Sequence, residues 1–214
     1  MATWLVSSRR FTEFVTAYRA KIRKKLHVRQ DAESLLDLRL ELETAYLLLQ
    51  ERPFSLTYEP QPIGQVRGPD FAVTFTTHTQ FMVEVTRLQA GQDDTLGERI
   101  AYTVCDKLGQ LLPQRSNVLL VGVEAPCPAQ DMLHVVMRHL QQRAERNDPT
   151  VVQKHRFRDR ADFFQHYQRL SEVLVRSSDL QAGAVGVACV AWMNPQAKNP
   201  LPSKVRTALY RSQK

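Results

Sequence analysis

Asp70 and Glu84 are placed where carboxylate chemistry is easiest to argue. Asp70 directly follows Gly68-Pro69 and opens the alternating run Phe71, Val73, Phe75, which puts it at a strand edge exposed by a turn. Glu84 lies within FMVEVT (81–86), where Phe81, Val83 and Val85 alternate with Met82, Glu84 and Thr86. A carboxylate inside such a run is costly unless it is paired or holds a cation. A hairpin of the two runs, turning at Thr77–Gln80, brings the carboxylates together, and Thr86 leaves the strand on the same face as Glu84. Converging carboxylates make a hard oxygen site for Mg²⁺ or Mn²⁺, a Lewis acid able to activate water against a phosphodiester. The competing account of Glu84 is an ion pair with an arginine such as Arg99.

The hydrophobic pattern predicts the elements around this pair. Phe11, Phe14, Val15, Tyr18, Ile22 and Leu26 form a helical stripe, with Ser7 or Ser8 as a cap. Asp31–Glu51 is rich in Leu and Glu and free of Gly and Pro, so it reads as helix until Arg52-Pro53. Phe54, Leu56 and Tyr58 alternate as a strand. A loop at 90–95 leads into a helix over 96–112. Val118–Val123 is a continuous apolar run, a central strand buried on both faces. Helix follows at 130–146, loop at 147–157, helix at Asp159–Arg176, and a second buried strand at Ala184–Trp192. The result is one α/β domain with a mixed sheet.

The order of short motifs resembles the PD-(D/E)XK, restriction-endonuclease-like nucleases. The matching pieces are ELETA (41–45), YEP (58–60), GPDFAV (68–73), FMVEVT (81–86), DKLGQLLP (106–113) and NVLLVGV (117–123). RLSEVLV (169–175) and WMNPQAKNPLP (192–202) are similar to a bacterial branch of uncharacterised members. The resemblance spans residues 31–126. It implies a central mixed β-sheet flanked by helices, here with an extra basic N-terminal helix over 1–30 before a nuclease-like domain over 31–214. It also implies Mg²⁺ or Mn²⁺ held by Asp70, Glu84 and the carbonyl of Val85. Glu41 matches the family's helical glutamate, with Glu43 the alternative. Thr86 stands where the family's lysine sits, and its neutral hydroxyl orients water without supplying charge. Lys107 on the next helix is the candidate relocated lysine, with Gln110 one turn away. Together Glu41, Asp70, Glu84, Thr86 and Lys107 form the expected catalytic set. The implied activity is Mg²⁺-dependent hydrolysis of DNA, and the alternative is a nuclease-fold module that binds nucleic acid without cutting it.

Charge agrees with a polyanionic partner. The chain has 214 residues and a net charge of +7, and residues 1–30 hold eight basic side chains against Glu13 alone. Residues 198–214 add five basic side chains and no acid. Arg19, Arg23, Lys24 and Lys25 are the expected phosphate-gripping residues. A homodimer is an open alternative, and a membrane surface is a lesser match for the basic helix. His155 and His166 lie among arginines and are further candidates for phosphate contact. The apolar runs are too short to cross a bilayer, and MATWLVSS lacks the basic start of a secretory signal. Cys105, Cys127 and Cys189 have no CxxC spacing, which points to a reduced, cytoplasmic setting. Gly-rich phosphate loops, a serine nucleophile elbow and a helical His-His zinc pair are all missing from the sequence.

Overall fold

The computed structural model describes residues 2–28, 31–60, 68–88, 94–124, 129–177 and 189–213. Three helices, α1 (Ala2–Ser7), α2 (Arg9–Ala17) and α3 (Arg19–Val28), precede the long α4 (Ala32–Gln50). Strands β1 (Phe54–Tyr58), β2 (Phe71–Phe75) and β3 (Thr79–Arg87) follow, then α5 (Leu96–Leu108) and β4 (Ser116–Val123). The remainder is α6 (Gln130–Glu145), α7 (Arg160–Tyr167), β5 (Leu170–Ser177), β6 (Cys189–Met193) and α8 (Ser203–Ser212). The expected loop at 90–95 falls mostly outside the described residues, as do Arg29, Cys127 and the first half of the strand expected at Ala184–Trp192.

The six strands lie in chain order, β1 to β6. β1, β2 and β3 form an antiparallel meander, β3, β4 and β5 run parallel, and β6 returns antiparallel to β5. This is a mixed sheet covered on both faces. Phe81, Val83 and Val85 of β3, with Val118 and Leu120 of β4, pack against α4, α2 and α8. The opposite register of β4, Leu119, Val121 and Val123, packs against α5, α6 and α7. Period-2 alternation thus divides one strand between two cores. Among the described residues no helix is long and apolar enough to cross a membrane.

Two sequence expectations need correction. The single basic helix at the N-terminus is broken. Ser8 caps α2 by accepting from the Phe11 N–H, and the chain kinks at Tyr18, whose ring packs on Phe14 and Tyr58. Trp4, Phe11, Phe14 and Ile22 are buried in the same core as α4 and β1–β3. The second correction is Asp159–Arg176, which is α7 and then β5 rather than one helix. Seven of the eight residues of β5 are buried, because parallel β4 and antiparallel β6 flank it and helices cover both faces. A strand enclosed in this way loses the polar alternation that would reveal it.

α4 packs directly over Gly122 of β4. A Cβ there would stand 2.5 Å from Cδ2 of Leu40, itself fully buried. Gly122→Ala is therefore expected to cost about 1–3 kcal/mol through overpacking, read as a lowered urea midpoint with an unchanged slope. Wild-type stability would show that Leu40 repacks freely.

Candidate active site

The site is built where the meander meets α4 and α5. Phe71 pairs with Val83 across the β2–β3 ladder, so Asp70, one residue before β2, comes level with Glu84. The Val85 N–H donates to Asp70 Oδ2 at 2.8 Å, which fixes the carboxyl against β3. Glu84 points to the α5 side, where Lys107 Nζ lies 2.7 Å from Glu84 Oε1. Glu41 reaches the same cleft from α4. Tyr58 Oη donates to Glu41 Oε2 at 2.7 Å, and Lys25 Nζ of α3 sits 2.6 Å from that oxygen. The cleft has a volume of about 150 Å³, and its lining includes Glu41, Asp70, Glu84, Val85, Thr86 and Lys107.

Electrostatics at the cleft are dominated by crowded acids. Burial, then Glu84, then Glu41 push the Asp70 carboxyl well above the ordinary carboxylate range, while the Val85 N–H and Lys25 pull it down. Burial and Glu41 push the Tyr58 hydroxyl up, so Tyr58 stays protonated and serves as a donor. At the rim, Arg87 of β3 pairs with Glu33 and with Asp37, at 3.1 Å, both from α4. Arg87 also pairs with Glu124 at 2.9 Å. Burial opposes the Arg87 charge, but Glu33 and Asp37 outweigh it. This cluster ties the start of α4 to the end of β3.

All five expected catalytic residues line this one cleft. Glu84 pairs with Lys107 rather than with Arg99, which lines an adjoining cavity of about 340 Å³ that also contains Thr86, Arg87 and Lys107. Glu43, the alternative helical acid, is fully buried 3.8 Å from Arg176 of β5, far from solvent. Gln110 does not line the cleft. Arg19, Arg23 and Lys24 are exposed on α3, but Lys25 is turned inward to Glu41 and Glu59. His155 is enclosed between Tyr102 and Asp106, with its Nδ1 2.6 Å from Asp106, so it is not a surface phosphate contact. Burial pushes the Cys105 thiol up to about 12, as suits an inert core residue.

Sequence reasoning missed Tyr58 and the inward turn of Lys25. Tyr58 left a trace as the apolar end of an alternating run before Glu59-Pro60. Lys25 left none, because a lysine among lysines carries no sign of which one faces a carboxylate.

Among the described residues no three His, Cys, Asp or Glu side chains are gathered as a ready metal site. The donor set is a pair of carboxylates with Glu41 beside it. That suits Mg²⁺, which is usually held by one or two carboxylates and takes its other oxygens from water and substrate phosphate. The unfavourable charge of Asp70 beside Glu84 and Glu41 is what a divalent cation would relieve. No protein-family model and no curated protein sequence matches this chain.

Proposed function

We propose that the protein is a Mg²⁺- or Mn²⁺-dependent nuclease that hydrolyses DNA phosphodiester bonds. The observation that carries this is the lysine of α5 meeting the acid pair: Lys107 reaches Glu84 beside Asp70, in the cleft that Thr86 also lines. The helix–three strands–helix–strand order of α4, β1–β3, α5 and β4 is that implied by the resemblance to PD-(D/E)XK nucleases.

Asp70 and Glu84 would hold the cation, with the Val85 carbonyl adjacent. When bound, it would polarise a phosphoryl oxygen and lower the pKa of water. The side chains supply the rest. Lys107 places a fixed positive charge where the transition state gains negative charge, in a partly dry cleft where such a charge acts strongly. Glu41, held by Tyr58 and Lys25, orients water through its carboxylate. Thr86 adds a hydroxyl that can hold a water on the Glu84 face. The exposed Arg19, Arg23 and Lys24 grip backbone phosphates without reading sequence.

One observation favours a second reading, a binding module without catalysis. Lys107 already neutralises Glu84, so that carboxylate is satisfied without a divalent ion. Supercoiled plasmid separates the two. Cleavage is expected with Mg²⁺ or Mn²⁺, none with EDTA, and loss of cleavage in Asp70→Asn and Glu84→Gln. Retarded migration on a gel with no cleavage under any cation would select the binding module.

A further inference from the structure

A second cavity, of about 350 Å³, is lined by Lys21, Lys24, Lys25, Val28 and Glu59. Two of its lysines are held in place by their own contacts. Lys21 Nζ donates to the backbone carbonyls of Tyr58 at 2.9 Å and Glu59 at 2.6 Å. Lys25 Nζ lies 2.6 Å from Glu41 and 2.8 Å from Glu59, and 4.8 Å from the centre of the Tyr58 ring. Lys24 stands exposed at the opening. Three lysines therefore line the cavity with one carboxylate, Glu59, which pairs with Lys25.

That carboxylate is unusually placed. Glu59 has a φ of 43°, in the left-handed region that non-glycine residues seldom occupy. Its N–H donates to the Asp70 carbonyl at 2.7 Å, which pins the turn after β1 and leaves the side chain beside Lys25. The Glu59 carboxylate pairs with Lys25 on the wall of a cavity that Lys21 and Lys24 also line, and so takes the place beside Lys25 that an external oxyanion would otherwise take.

We propose that this cavity is a phosphate subsite, with Glu59 as its internal occupant until a phosphate oxyanion displaces it. Lys21 and Lys24, joined by Lys25 once Glu59 is displaced, supply the positive charge a phosphate needs, and the Lys25–Glu41 ion pair links the cavity wall to the acidic cleft. A backbone phosphate held here would set the register of a nucleic-acid strand relative to Asp70 and Glu84. The proposal deepens the nuclease reading by naming the group that α3 recognises, and its readout is binding rather than cleavage.

The test is calorimetric titration of the full chain with inorganic phosphate, at low salt and in EDTA so that no metal bridges the anion. Wild type should bind. Lys24→Gln should weaken binding about tenfold, the worth of one charge-assisted hydrogen bond. Glu59→Gln should tighten it about threefold or more by removing the competing carboxylate. Lys24 is exposed, so its variant should fold, and circular dichroism checks both. Competition by an unphosphorylated oligothymidylate identifies the natural source as a backbone phosphate. Phosphate binding without such competition identifies a free phosphate, and either result supports the subsite. Absence of binding by wild type, or equal affinity in all three proteins, overturns it. Cleavage with a flat phosphate series would overturn the subsite alone. The expected phosphate series without cleavage in any protein would remove the nuclease reading and leave the subsite standing.

Discussion

Lys107→Ala is expected to lower metal-dependent DNA cleavage by ~10²–10³, the usual cost of deleting one preorganised charge donor at a reacting centre. Binding should behave differently. Lys107 is the ammonium nearest Glu84, so its removal takes away a competitor for that carboxylate, and Mn²⁺ affinity should hold or rise. A residue that merely supports the fold would lose both together. Thr86→Lys alone should add little, because Lys107 already serves the cleft. In the Lys107→Ala background the same Thr86→Lys change should recover much of the lost rate, since Thr86 lines the same cleft. Plasmid nicking rates and Mn²⁺ calorimetry on the four proteins check this. Full activity in Lys107→Ala, or a large gain from Thr86→Lys alone, would make Lys107 only an ion-pair partner.

The pair of acids was legible for a simple reason. A glutamate within an alternating apolar run and an aspartate after Gly-Pro are local facts, and a hairpin joins them with a short loop. The β2–β3 ladder brings Asp70 level with Glu84 as the period-2 pattern implied. Lys107 was legible only as a candidate, because its approach depends on how the crossover helix α5 rolls against the sheet. The inward turn of Lys25 was hidden. It depends on the kink at Tyr18 and on the packing of Phe14 against Tyr58 and Phe71, and no window of sequence contains both sides of that contact.

α4, α6 and the meander strands showed clear periods, and their bounds fell close to expectation. β5 did not. LSEVLVRS contains Leu, Glu and Arg, all good helix formers, and reads as the end of a helix expected over Asp159–Arg176. In the structure those charges are buried and matched by partners distant in sequence. Glu172 receives Arg206 and, at 2.7 Å, the Tyr210 hydroxyl, both from α8. Arg176 donates to Gln213 at 2.8 Å and to Thr44 of α4 at 3.1 Å. Tertiary pairing overrode local propensity, and such pairing is invisible until the fold is known.

Arg176→Ala should therefore destabilise the protein more than any surface change. Arg176 and Glu43 are both fully buried and 3.8 Å apart, and deleting the guanidinium removes a buried cation from beside the buried carboxylate. Breaking such a pair costs about 3–5 kcal/mol, a large share of the ~5–15 kcal/mol that holds a typical domain folded. With urea slopes of ~1–3 kcal/mol/M, the midpoint should fall by about 1 M or more. The apolar double variant Arg176→Met with Glu43→Leu should lie closer to wild type than either single variant, because both buried charges are removed together. The site should register the same change. Glu41 and Glu43 are two residues apart on α4, about 200° around the helix, so Arg176 holds one side of α4 while Tyr58 and Lys25 hold the other. If the double variant regains stability but loses cleavage, the buried pair sets the rotation of α4 that aims Glu41. If stability and cleavage return together, apolar packing alone fixes the helix and the pair has no positioning role. If Arg176→Ala unfolds at the wild-type midpoint, Glu43 has found other partners and the pair does not hold α4 in place.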